Sequence, residues 1–261
     1  MFRALSSAAT GMEAQEKKLE IIANNIANVN TTGFKKQRVE FQDLLYDNLT
    51  AAGSKTSDDT ESPGGIQIGQ GVRTVGTIRE FSMGSLQATN RVYDLAIEGS
   101  GFFKIQMPDG TFGYTRAGSF QLSSEGKLVT PEGFPLDPEI VVPAGIGQVH
   151  VAADGTVSAT YKGDTSVTEL GSITLTDFSN PSGLQAMGHN LYTTTPSSGD
   201  PIESTPGAQG VGTILSGHLE TANVKVVDEM VQLIAAQRAY ESNSRVIRAA
   251  DEMLRSTANL K

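Results

Sequence analysis

Val226-Val227-Asp228-Glu229-Met230-Val231-Gln232-Leu233-Ile234-Ala235-Ala236-Gln237-Arg238-Ala239-Tyr240 opens a stretch in which Val226, Leu233, Tyr240, Ile247 and Leu254 recur every seventh position. A sustained heptad marks a helix that packs against other helices. Its counterpart lies at the opposite end of the chain, where Leu5, Ala8, Met12, Gln15, Leu19, Ile22, Ile26 and Val29 follow a 3,4 spacing. The first helix is predicted from about residue 3 to Asn30, with Gly33 placed for the left-handed position that ends it. The last is predicted over Asn223–Asn259, about 55 Å at 1.5 Å per residue. On a helical wheel Val224, Val226, Val227, Met230, Val231, Leu233 and Ile234 cover about half the circumference, against the roughly 100° that one packing face needs. The seams are diluted by Ala8 and Gln15 in the first helix and by Gln237, Ser244 and Asp251 in the last, so a lone pair would be weak. The β-rich middle of the chain is one possible cover for the surplus apolar arc. Copies of the same chain are the more economical one, and head-to-tail contacts that do not close would give a tube or fibre.

Between the ends the period shifts toward two. Val92-Tyr93-Asp94-Leu95-Ala96-Ile97 and Phe102-Phe103-Lys104-Ile105-Gln106-Met107 read as strands, and Asp109-Gly110 separates the second from Thr111-Phe112-Gly113-Tyr114-Thr115 as a hairpin turn. Glu125-Gly126, Asp154-Gly155 and Lys162-Gly163-Asp164 repeat the device. The expected fold is therefore α+β, with N- and C-terminal helices forming a coiled-coil domain around a central antiparallel β-rich domain. The expected boundaries are 1–46 for the first helix and the start of its connector, 47–80 for an extended loop and connector, 81–212 for the β-rich domain and 213–261 for the last helix. Positions 50–65 carry no large apolar side chain before Ile66, so in isolation they read as a flexible connector, or as a loop that orders against a partner.

Net charge is −9, from 20 Lys plus Arg against 29 Asp plus Glu, without a basic block. Nucleic acid and anionic membrane surfaces, which need concentrated positive charge, are poor partners for such a chain. No run approaches the roughly 18 apolar residues of a membrane span, so no membrane insertion is expected. Residues 1–11 lack the apolar stretch of a cleaved secretory signal, which leaves the cytosol or an export route that reads no such signal. The absence of Cys removes disulfides and thiolate metal sites.

Catalytic chemistry is missing from the motifs as well. Gly69-Gln70-Gly71 and Gly99-Ser100-Gly101 lack the third Gly of a dinucleotide loop. His150, His189 and His218 stand without a carboxylate or second His at ligand spacing and read as surface or packing residues. No Ser sits in a Gly-x-Ser-x-Gly elbow. No catalytic, cofactor-binding or metal residue is assigned, and no cofactor is expected.

Ala23-Asn24-Asn25-Ile26-Ala27-Asn28, continuing through Asn30-Thr31-Thr32-Gly33-Phe34-Lys35, resembles the N-terminal signature of the bacterial flagellar rod and hook proteins. Val226-Val227-Asp228-Glu229-Met230-Val231, Gln237-Arg238-Ala239-Tyr240-Glu241 and Ala250-Asp251-Glu252-Met253-Leu254 are similar to that family's C-terminal hallmark. Asp94–Phe103 and Tyr114–Phe120 are shared across the group. Pro63–Arg73 and Glu203-Ser204-Thr205-Pro206-Gly207 resemble its distal-rod members most closely. A hook protein would usually carry an extra outer domain.

The resemblance implies a structural protein and not an enzyme. It implies export without a cleaved signal by the flagellar type III apparatus, then polymerisation into the periplasmic drive shaft that carries motor torque to the hook. The implied partners are further copies of the chain, other rod and hook subunits, the surrounding basal-body ring proteins and the export apparatus. The assembly interface is assigned to Asn24, Asn25, Ile26, Asn28, Gly33, Phe34, Val227, Met230, Val231, Ile234, Gln237 and Tyr240. A proximal-rod or hook subunit is the nearest alternative. A filament-forming adhesin and an enzyme acting on cell-wall polymer are the distant ones.

Overall fold

The structure, a computed structural model, describes residues 2–51, 55–57, 60–61, 64–161, 166–208 and 210–258. The chain divides into two compact units, one of Met1–Ala27, Gln37–Ile78 and Lys225–Lys261, the other of Asn28–Lys36 and Arg79–Val224. The division departs from the expected boundaries at each crossing. Residues 28–36 belong with the β-rich unit, the strands of 37–78 belong with the helices, and 213–224 stay in the β-rich unit.

In the helical unit, α1 (Phe2–Ala27) packs on α2 (Val226–Ala258). Asn25 Nδ2 donates to Glu229 Oε2 at 3.3 Å, and a Cβ added to Gly11 would stand 2.8 Å from Asn243 Nδ2. From Asn25 back to Gly11 and from Glu229 forward to Asn243 each helix advances by fourteen residues, so the pair is antiparallel and in step. The inward stripe of α2 runs through the half-buried heptad residues Val226, Leu233, Ile247 and Leu254 and, three residues after the heptad position, through the buried Glu229, Ala236 and Ala250 and the half-buried Asn243. Gln237 and Asp251, expected in the seam, are exposed, and Ser244 is half-buried. Ala236 and Ala250, facing an α1 that buries Ala8 and Ala14, let the backbones approach, which the longer polar side chains would prevent. α1 stops at Ala27 and not Asn30, because the Asn28 carbonyl accepts from Thr31 N at 3.1 Å and turns the chain.

The rest of this unit is a set of two-stranded pairings: Gln37–Asp43 with Val72–Arg79, Tyr46–Thr50 antiparallel to Ile66–Gly69, and Lys55–Ser57 antiparallel to Thr60–Glu61. Within the stretch read as a flexible connector, Thr50 pairs with Ile66 and Lys55–Ser57 with Thr60–Glu61, while 52–54, 58–59 and 62–63 lie outside the described residues. Leu45, Tyr46, Leu49 and Ile66, which flank it, are exposed.

The β-rich unit centres on strand Phe102–Gln106, which pairs antiparallel with Phe112–Thr115, Leu175–Asp177 and Leu136–Asp137. The sheet extends through Leu191–Thr193 and Gln185–Gly188 on one side and Ile202–Ser204 on the other. Alternation sends Phe103 and Ile105 into the main core with Leu95, Ile97, Phe120, Leu136 and Leu175, and Phe102 into an aromatic cluster with Tyr114, Phe178 and Tyr192. The rings of Phe103 and Phe120 meet edge-on at 5.2 Å, and those of Tyr114 and Phe178 at 4.9 Å. The turns at Asp109-Gly110, Glu125-Gly126 and Asp154-Gly155 join the antiparallel pairs expected of them. Ile146–Val151, Thr156–Tyr161 and Val167–Ser172 form a further three-stranded sheet, though the Lys162-Gly163-Asp164 turn lies outside the described residues.

A buried ionic network lies within this unit. The buried Glu220 carboxylate accepts from Lys35 Nζ at 2.6 Å, Arg116 Nε at 3.1 Å and Gly84 N at 2.9 Å. Lys35 also donates to Ser82 O at 2.7 Å, and Arg116 donates to the carbonyls of Gly99 and Gly101 at 2.8 and 2.7 Å. Burial lowers the Lys35 pKa from its ordinary value and the Arg116 charge adds to the effect, while Glu220 opposes both. Burial likewise lowers that of Arg116 against the pull of Glu220. Two cations share one carboxylate here, so removing the anion leaves both uncompensated. Glu220→Ala should cost about 3–5 kcal/mol, read as a fall in the urea midpoint of the β-rich unit by near-UV tyrosine dichroism, and Glu220→Gln, which keeps one acceptor, should lose less.

Candidate assembly surface

The outer face of α2 follows from its heptad. Since Val226, Glu229, Leu233 and Ala236 face inward, the positions between them point away, and besides Asp228 and Gln232 those are also apolar. Val227 is 73% exposed, Val231 62%, Met230 52% and Ile234 50%. Tyr240, Val246 and Met253 continue the exposed apolar series along the helix. Four large apolar side chains within eight residues form a contiguous patch, the kind of surface that marks an interaction site. Gln237 is exposed beside it. Val224, expected to extend the patch, instead precedes the helix and is buried with Phe34 and Ala222 in the β-rich unit.

The N-terminal candidates divide. Asn24 is exposed, and Ile26 and Asn28 are half-buried. Asn28 Oδ1 accepts from Thr31 Oγ1 at 3.2 Å. Asn25 is buried, with both ends of its amide bonded inside its own unit: Gln37 N donates to Oδ1 and Nδ2 donates to Gln37 O, each at 2.9 Å. Its assignment to contacts with other chains is therefore corrected, because the groups that would make them already have partners. Gly33 and Phe34 are buried too. Gly33 has a φ of +69° and donates its N–H to Glu220 O at 2.8 Å, and an added Cβ would come 2.5 Å from Ala117 N. It lies six residues past the end of α1, so it serves a close backbone approach and not the termination of the helix.

Sequence reasoning missed Lys35, Arg116, Glu220 and Glu229. Lys35 and Arg116 sit in quoted motifs, but nothing in a linear reading joins them to a carboxylate more than a hundred residues away. It also missed the partner of His189, whose Nδ1 contacts Glu132 Oε1 across 57 residues at the surface. His150 lines a groove of about 1200 Å³ with Arg91, Tyr93 and Glu125, and His218 Nδ1 lies 3.0 Å from Ser216 O. Among the described residues no group of three or more His, Asp or Glu could hold a metal ion, and no helix is long and apolar enough to cross a membrane.

Three family models match: flagella basal body rod protein over residues 5–35, the flagellar hook protein FlgE/F/G D1 domain over 96–159, and the flagellar basal body rod FlgEFG protein C-terminal region over 215–260. The chain is 47% identical over 251 residues to the flagellar basal-body rod protein FlgG of Buchnera aphidicola subsp. Acyrthosiphon pisum (strain APS), covering 96% of each protein. With FlgG of Borreliella burgdorferi it shares 46% identity over 263 residues, 100% of this chain and 99% of the relative. The chain belongs to the FlgG family of flagellar basal-body rod proteins. Similarity to FlgF of Caulobacter vibrioides is lower, 38% over 245 residues, 92% of this chain and 90% of the relative. Membership in the FlgG family makes it a structural subunit of the distal rod in the flagellar basal body, where the rod spans the periplasm, and not an enzyme. The matched ends hold α1 and α2, and the matched centre holds the sheet core.

Gly33→Ala forces a left-handed residue to carry a side chain against the backbone of Arg116 and Ala117. A loss of at least about 1–2 kcal/mol is expected in thermal melting of the β-rich unit. Gly76→Ala, whose Cβ would meet nothing within 4 Å, should leave the melt unchanged.

Proposed function

We propose that this distal-rod subunit assembles with its own copies into a helical tube. Its terminal helices form the coiled-coil inner wall, its β-rich unit forms the outer layer, and torque passes from motor to hook through subunit contacts. The observation that carries the reading is the open apolar patch of Val227, Met230, Val231 and Ile234 on a helix whose opposite face is already packed. Each such side chain contributes about 1.5–3 kcal/mol when fully buried, so four of them on a repeating interface supply several kcal/mol per subunit. Gln237 and Tyr240 extend that contact, and Asn24 and Asn28 offer polar groups to neighbouring inner helices.

The ribbon before Ile66, with Leu45, Tyr46 and Leu49 exposed, braces adjacent subunits. A two-stranded ribbon is at best marginally stable alone, which favours its docking in the assembly. Association with other rod and hook subunits, contact with surrounding basal-body rings, and delivery by the flagellar export apparatus without a cleaved signal complete the proposal.

Val231→Glu places a charge at the centre of the patch without touching the buried stripe of α2. Purified variant should remain monomeric by sedimentation and show no tubes by electron microscopy under conditions in which the parent chain polymerises, with the melt of the β-rich unit unaltered. Tubes of parental length and number from the variant would sink the proposed interface.

A further inference from the structure

The seam between α1 and α2 has a physical ambiguity. Its apolar positions repeat every seven residues, and many are alanine, so a slip of one heptad, about 10.5 Å at 1.5 Å per residue, again sets small residues against large ones. Apolar packing alone therefore discriminates weakly between alignments. The polar residues in the seam discriminate strongly.

Asn25 and Glu229 form a buried layer at one end, 2% and 5% exposed. The Asn25 amide has a fixed orientation. Because Gln37 N donates to Oδ1, the Nδ2 edge must face Gln37 O and Glu229 Oε2. Fourteen residues along, the Asn243 amide occupies the space that a side chain at Gly11 would need. Counting along the antiparallel pair, a one-heptad slip in one direction puts Ala236 against Asn25, leaving Glu229 without this donor, and puts Lys18 where Gly11 made room for Asn243. The opposite slip sets Lys18 against Glu229 but takes Asn25 away from its acceptor.

We infer that Asn25 and Glu229 are the register-determining pair of the terminal helices, a polar layer that selects one alignment at the expense of seam stability. A single buried polar position in a heptad seam is a well-attested way to select one alignment. Gln37 acts through Asn25 as a positioning residue. The consequence for the rod rests on the assembly reading above, since a slipped register would move Val227, Met230, Val231 and Ile234 by about 10 Å along α1. The register itself does not rest on that reading.

The chain contains no cysteine, so introduced thiols label cleanly. Glu20→Cys with Arg248→Cys, both at exposed positions, places spin labels about 21 Å apart along the helix axis, and a heptad slip changes that offset by about 10 Å. In the full chain the parent should give one distance peak by pulsed electron spin resonance. Glu229→Leu should keep the helical content and match or exceed the parent's melting temperature while adding a second peak, displaced in the sense of a heptad slip. Glu229→Gln, which still accepts from Asn25, should restore the single peak. A single parental peak in Glu229→Leu overturns the inference, as does loss of helix in that variant, since leucine is expected to cost uniqueness and not stability. A broad distribution in the parent overturns it as well. Polymerisation assayed on the same variants separates the two claims: parental distances with failed assembly count against the tube, and two peaks with normal assembly count against register as its determinant.

Discussion

A single carboxylate organises the β-rich unit. Glu220 is buried without exposure to water, and it compensates two equally buried cations that arrive from residues 35 and 116. Those cations then satisfy carbonyls at Ser82, Gly99 and Gly101, so four separate loops are tied to one point. Such a cluster adds little net stability compared with an apolar core of the same volume, but a misplaced partner leaves a buried charge exposed to nothing. It acts as a constraint on which packing is allowed. Because Lys35 lies just beyond α1, the constraint makes the exit of the first helix part of the β-rich unit.

Asn223 extends the same logic to the places where the chain passes between units. Its Oδ1 accepts from Lys36 N at 2.8 Å while its Nδ2 donates to Glu80 O at 2.8 Å, and Lys36 Nζ pairs with Glu80 at 3.1 Å. One amide and one ion pair thus hold Lys36, Glu80 and Asn223 together within the β-rich unit, close to three of the four places where the chain enters or leaves it.

The two units bury surface in different ways. The β-rich unit closes on itself, with Phe103, Phe120, Leu95 and Ile97 sealed from solvent and aromatic rings stacked edge to face. The helical unit closes on Ile22, on alanines and on the Asn25 amide, and leaves several of its larger side chains exposed. A seam of small residues permits a close but weakly held pair, and Val227, Met230, Val231 and Ile234 of α2 lie in solvent.

The ends of the chain were legible because a heptad is a local, repeating signal. It gave both helices, their apolar excess and the exposed patch at Val227, Met230, Val231 and Ile234, and two-residue alternation with Gly-bearing turns gave the antiparallel strands of the middle. The flagellar rod family could be read from the motifs at both ends. What tertiary structure alone decided was every contact whose partners are distant in sequence. It set the buried stripe of α2 through Glu229, Ala236 and Ala250 instead of Gln237 and Asp251, because the choice between adjacent stripes depends on how closely the α1 backbone approaches. It turned Asn25 inward, gave Gly33 to the β-rich unit, and brought Lys35, Arg116 and Glu220 together. Periodicity encodes which face of an element is apolar, but a polar side chain carries no local mark of its partner, so the charges and amides that fix alignment come into view only when the chain is folded.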